Sequence, residues 1–135
     1  MLNIGISCRV TEATNYFELR NSLSIDWIDF FNEINFVPML IPHGILNINN
    51  YLSKVRLDGV ILSGGNNLNP KLYASNDILS SVYDIRDKNE FDIIKYCIKK
   101  DLPIIGVCRG MFTVNIFFNG GLTHDVNNHV NVEHD

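Results

Sequence analysis

Short apolar runs alternate along the chain with stretches whose apolar residues recur every three or four positions. The runs are Leu2 to Cys8, Phe36 to Ile41 (closed by Pro42), Leu57 to Leu62 (ending at Ser63-Gly64-Gly65) and Leu102 to Val107, with Ile104–Val107 as its strand. None alternates with period two, so each is predicted to be a strand covered on both faces. Tyr16 to Ile34 carries Leu19, Leu23, Trp27 and Phe30-Phe31 at helical spacing, with Asn15 and Glu18 placed as a capping box. Ile48 to Val55 predicts a short helix. Asp87 to Lys100 predicts a longer one with Phe91, Ile94 and Ile98 on one face, and Met111 to Phe118 a last one. Asn66 to about Asp84 is a polar loop. This alternation predicts an α/β fold, a mostly parallel sheet with helices on both faces. In such sheets the working loops lie at the carboxyl ends of strands, here after Cys8, after Leu62 and at Cys108.

Length and composition narrow the classes. With 135 residues, 46% hydrophobic and 19% charged, the chain is expected to form a single domain with no internal linker or repeat. A net charge of −4 and the lack of any basic run argue against a nucleic-acid partner. No run approaches the ~18 apolar residues of a membrane span, and Met1 to Ser7 has no basic region like that of a signal peptide. Cys8, Cys97 and Cys108 include no Cys-x-x-Cys pair, which suits a reducing cytoplasm. Asn and Ile are frequent throughout, a compositional bias that leaves the apolar pattern intact.

The chemistry concentrates at Gly106-Val107-Cys108-Arg109-Gly110, where a buried strand runs into a helix. Glycines on both sides let the chain turn sharply without side chains striking the adjacent backbone. The sulfur is expected at a helix N-terminus, where N–H groups and the dipole favour a thiolate. Cys8 and Cys97 are expected to be packing residues. Arg9, Glu12, Tyr16 and Arg20 form either a pocket for a phosphate or nucleotide at the end of the first strand, or a solvated loop and first helical turn. Asp87 and Glu90 are expected to complement the dipole of their helix.

Leu57-Asp58-Gly59-Val60-Ile61-Leu62-Ser63-Gly64-Gly65-Asn66, then Arg86-Asp87 with Glu90, then Gly106-Val107-Cys108-Arg109-Gly110, then Gly120-Gly121-Leu122 together resemble class I glutamine amidotransferase domains. The resemblance spans about Arg56 to Val126 and is strongest to the γ-glutamyl hydrolase branch. Arg9-Val10-Thr11-Glu12, Tyr16-Phe17-Glu18-Leu19-Arg20 and Trp27 are similar to bacterial γ-glutamyl-CDP-amidate hydrolases, which serve the phosphoramidate decoration of surface polysaccharides. The resemblance implies a flavodoxin-like sheet and Cys108 as the nucleophile attacking a γ-glutamyl amide, through a glutamyl thioester. It implies backbone N–H groups of Arg109 and Gly65 as the oxyanion hole, with Gly64, Asn66, Arg9, Tyr16 and Arg20 as substrate-binding candidates. The leaving group stays open between GABA, a CDP-phosphoramidate and ammonia. No cofactor is called for, and a second copy or a synthase is the expected macromolecular partner.

The family pairs its cysteine with a His-x-Glu motif, which this chain lacks. It is therefore expected to be the N-terminal portion of a longer domain, incomplete at its C-terminus and marginally stable or aggregation-prone by itself. His124, His129 and His134, five apart, fit no common zinc pattern, and no metal site is expected. His129 or His134 could serve as a base, while His43 is expected to be a loop residue. Phe112 stands where relatives often carry a Gln that holds the glutamyl group. Two other readings remain: a glutaminase domain supplying ammonia to a synthase, and a non-catalytic binding module without the His-Glu pair.

Overall fold

A computed structural model describes residues 1–123. Its strands are β1 (Asn3–Ser7), β2 (Arg9–Glu12), β3 (Leu19–Ser22), β4 (Val37–Ile41), β5 (Gly59–Leu62) and β6 (Ile104–Gly106). Its α-helices are α1 (Ile25–Glu33), α2 (Ile48–Lys54), α3 (Asp84–Lys100) and α4 (Arg109–Phe117). Four strands form one parallel sheet in the order β4-β1-β5-β6, and β2 and β3 make a separate antiparallel hairpin.

The register explains the two cores. Ile4 and Ile6 of β1 lie beside Gly59 and Ile61 of β5 and face α1, where Phe31 and Trp27 pack on them together with Leu23 just before the helix. Ile41, Val60 and Leu62 point the other way, against Ile48 and Leu52 of α2 and Ile93, Ile94 and Cys97 of α3. Each fully buried aliphatic side chain contributes roughly 1.5–3 kcal/mol, so these two layers hold the sheet and fix where its strands end. Helices thus cover both faces, as the alternation predicts. The cover is uneven, however: Ile105 of β6 is 61% exposed on the α1 side.

Three expectations fail. Tyr16 to Ile34 is not one helix, because Leu19–Ser22 pairs back onto Arg9–Glu12, and Leu19 lies opposite Glu12. The Asn15–Glu18 capping box does not form. The helix begins later, with the Ser24 hydroxyl accepting from the Asp26 N–H at 3.3 Å. Side-chain amides hold the hairpin to the main body by imitating backbone pairing. Asn21 accepts from the His43 N–H (2.7 Å) and donates to its carbonyl (3.1 Å). Asn66 does the same for Val10, at 2.9 Å each way. The buried face of α3 also differs from expectation: Ile98 is exposed, and Ile93, Ile94 and Cys97 carry the packing. The loop after β5 contains a turn of 3-10 helix, Pro70–Tyr73, started by Asn69.

Candidate active site

The elbow between β6 and α4 is shaped by two glycines. A Cβ on Gly106 would lie 2.4 Å from the Gly110 carbonyl carbon, and one on Gly110 would lie 2.1 Å from the Leu62 carbonyl oxygen. No other residue fits either place with this backbone. The turn sets Cys108 at φ 53° and ψ −112°, a conformation that costs a non-glycine residue on the order of 1–3 kcal/mol. The neighbouring contacts hold it there: Val107 N–H donates to Leu62 at 3.0 Å, and Met111 N–H to the Cys108 carbonyl at 3.0 Å. The result is an exposed thiol at the start of a helix. Cys8 and Cys97, by contrast, are buried, as expected, and burial pushes the Cys97 thiol up to about 11.

The Ser63–Asn66 loop after β5 lies against this thiol. A Cβ on Gly64 would be 3.3 Å from Cys108 Cβ and 3.8 Å from its Sγ. Gly65 has φ +80°, and the Arg9 guanidinium carbon occupies the space 2.6 Å from where its Cβ would be. Among the described residues, no acceptor takes the N–H groups of Gly64, Gly65, Asn66 or Arg109. Beside them opens a cavity of about 440 Å³, lined by Gly65, Asn66, Cys108, Arg109, Phe112 and Tyr73 among others. Arg9, Gly64, Gly65, Asn66, Cys108 and Arg109 are therefore brought together. Tyr16 and Arg20 are not. They pair with each other on the hairpin, Arg20 Nη2 donating to Tyr16 Oη at 2.6 Å, away from the cavity lining. Glu12 accepts instead from Tyr83 Oη at 2.6 Å.

Beneath the loop and the elbow is a buried network of two arginines and two carboxylates. Arg86 donates from Nε to Glu90 Oε1 (3.0 Å) and from its two terminal nitrogens to the carbonyls of Ser63 (2.8 Å), Gly64 (3.1 Å) and Gly65 (2.7 Å). Glu90 Oε1 also accepts from Ser7 Oγ at 2.8 Å, while its Oε2 accepts from Arg109 Nη1. Arg109 Nη2 pairs with Asp87 Oδ1, and Asp87 Oδ2 accepts from the Asn69 N–H at 3.0 Å. Burial pulls the Arg86 guanidinium down to about 10 against the opposing pull of Glu90, and pushes the Asp87 carboxyl up although Arg109 faces it.

This network corrects the expectation for Asp87 and Glu90. Asp87 does stand in the first turn of α3, but both carboxylates are buried partners of arginines, with Glu90 fully buried. One signal for this was present in the sequence: Arg86, Glu90, Ile93, Ile94 and Cys97 share one helical face, so two charges stand in an apolar stripe. His43 lies in the loop between β4 and α2, as expected, but that loop is not solvated there. The imidazole is buried, its Nε2–H donating to the Cys8 carbonyl (2.6 Å) and its Nδ1 accepting from Asn89 Nδ2 (2.8 Å). Burial lowers its proton affinity, and both ring nitrogens are engaged. His124, His129 and His134 lie outside the described residues. No described helix is long and apolar enough to cross a membrane.

The Peptidase C26 family matches residues 3–135. The chain is 32% identical over 123 residues to the gamma-glutamyl-CDP-amidate hydrolase of Campylobacter jejuni, covering 89% of this chain and 57% of that protein. It is 36% identical over 103 residues to the glutamine amidotransferase-like protein YvdE of Lactococcus lactis, covering 74% of this chain and 43% of that protein. The chain thus spans about half the length of these curated relatives. With that match over nearly its whole length, the chain belongs to the Peptidase C26 family, whose fold is of the class I glutamine amidotransferase type.

Proposed function

We propose that this chain carries the nucleophile and oxyanion site of a γ-glutamyl amide hydrolase. The observation that carries the reading is the exposed Cys108 thiol, held at positive φ beside the Gly64–Asn66 loop, whose N–H groups, like that of Arg109, meet no acceptor among the described residues. Cys108 Sγ attacks the amide carbonyl carbon, and the oxygen that becomes negative is received by the N–H groups of Arg109 and Gly65. Collapse breaks the C–N bond, the departing nitrogen takes the proton that the thiol gave up, and a γ-glutamyl thioester remains on Cys108. Water then releases glutamate and restores the thiol. Asn66 lines the cavity, Gly64 lies against the thiol, and Arg9, against Gly65, supplies a cation for an anionic group of the substrate. Such a cation suits the diphosphate of γ-glutamyl-CDP-amidate, the substrate named for the Campylobacter jejuni relative. With three free cysteines the cytoplasm is the compartment that fits.

The test is covalent labelling. A glutamine-like chloromethyl ketone is expected to modify Cys108 alone, leaving Cys8 and Cys97 untouched, and to leave Cys108→Ser unmodified. A folded protein that takes no label at Cys108, while iodoacetamide still alkylates it, would overturn the reading.

A further inference from the structure

We infer that Arg86 is a positioning residue for the oxyanion site: by gathering the carbonyls of Ser63, Gly64 and Gly65, its guanidinium aims the N–H groups of that loop at the substrate oxygen. The inference rests on the reading of Cys108 given above. In a trans peptide the C=O and N–H point in opposite directions. Each carbonyl held by Arg86 therefore turns the next residue's N–H the other way: those of Gly64, Gly65 and Asn66 face away from the guanidinium.

Three successive carbonyls converging on one side repel one another, and three successive N–H groups on the other side make a concavity for an anion. A cation beneath offsets that repulsion and holds the arrangement ready before substrate arrives. Arg86 is fully buried and is not among the residues lining the cavity, so it acts through the loop and never touches substrate. Asn66 Oδ1 also accepts from Arg86 Nη1 at 2.8 Å, extending the grip by one residue. Glu90 then ties the device to the elbow, since one carboxylate binds both Arg86 and the side chain of Arg109, whose N–H is the other proposed donor.

A lysine here would keep the charge but present one ammonium where a planar fork now spans three carbonyls. In Arg86→Lys, modification of Cys108 by a glutamine-like chloromethyl ketone, which passes through a tetrahedral adduct, is expected to slow about 10²-fold. Alkylation by iodoacetamide, a direct displacement without an oxyanion, is expected to keep its wild-type rate, with the near-ultraviolet circular dichroism unchanged. A folded variant that reacts with the ketone at the wild-type rate overturns the inference. So does an equal fall in both rates, the mark of a purely structural arginine. If the wild-type chain itself fails with the ketone but reacts with iodoacetamide, the hydrolase reading falls first and the inference with it. Should Arg86→Lys not fold, a crystal structure of the wild-type chain with a glutamine-derived aldehyde on Cys108 decides the point. The Gly64 carbonyl should stay on Arg86 and the Gly65 N–H should reach the adduct oxygen, whereas a peptide rotated off Arg86 overturns the inference.

Discussion

At the scale of single residues, the site depends on charges that sit where apolar side chains would be expected. Glu90 joins β1 through Ser7, the loop after β5 through Arg86, and the elbow helix through Arg109 and Thr113. Removing it leaves two buried guanidiniums short of a partner. Glu90→Ala is accordingly expected to destabilise the fold by about 3–5 kcal/mol, measured by urea unfolding. A loss under 1 kcal/mol, the range of surface pairs, would mean that the network is solvated. Residue chemistry was partly legible in the sequence. Cys108 and its glycines stood out because an elbow needs small residues at fixed places, and the contacts of Gly106 and Gly110 give the reason. Arg86 and Glu90 stood out less, since a charge at the start of a helix has an ordinary explanation in the dipole. Which carbonyls Arg86 would hold depends on tertiary approach and leaves no local pattern.

At the scale of elements, the four strands of the parallel sheet followed from short apolar runs and the later helices from apolar periodicity, while the hairpin strand Arg9–Glu12 and the segment from Tyr16 to Ile34 did not. Leu19 and Leu23 keep helical spacing with Trp27, yet the first lies on a hairpin strand and only Leu23 joins Trp27 in the core. What decides the matter is pairing with Arg9–Glu12 and the amide clamps from Asn21 and Asn66, contacts with residues distant in sequence. His43 belongs to this scale as well, because it joins the end of β1 to α3 through Cys8 and Asn89. Burial keeps its imidazole neutral below its ordinary value of 6.5. As pH falls, the unfolded chain therefore takes up the proton first, so stability is undiminished above about pH 6.5 and declines below it. Unfolding midpoints taken across pH 7 to 5 should show this decline, and His43→Gln should flatten it. An unchanged slope in that variant would assign the proton to another group.

At the scale of the whole molecule, the sheet has one well-covered side and one that is open near β6. Ile105, 61% exposed on a strand with a neighbour on one side only among the described strands, is an apolar residue on an unprotected edge. Ile105→Lys is expected to raise solubility and reduce binding of an apolar dye with little change in the unfolding midpoint. A marked drop in that midpoint would show Ile105 to be a packing residue instead. The loop, the elbow and the cavity meet at the carboxyl ends of β5 and β6.

The most direct test of the central claim is capture of the acyl intermediate. The chain is offered γ-glutamyl p-nitroanilide, whose leaving group departs with little help from a general acid, and is then examined by intact mass and peptide mapping. A single γ-glutamyl adduct on Cys108 is expected, removed by hydroxylamine and missing from Cys108→Ser. A folded chain with a reactive Cys108 that forms no such adduct, or an adduct that persists in Cys108→Ser, would contradict that claim.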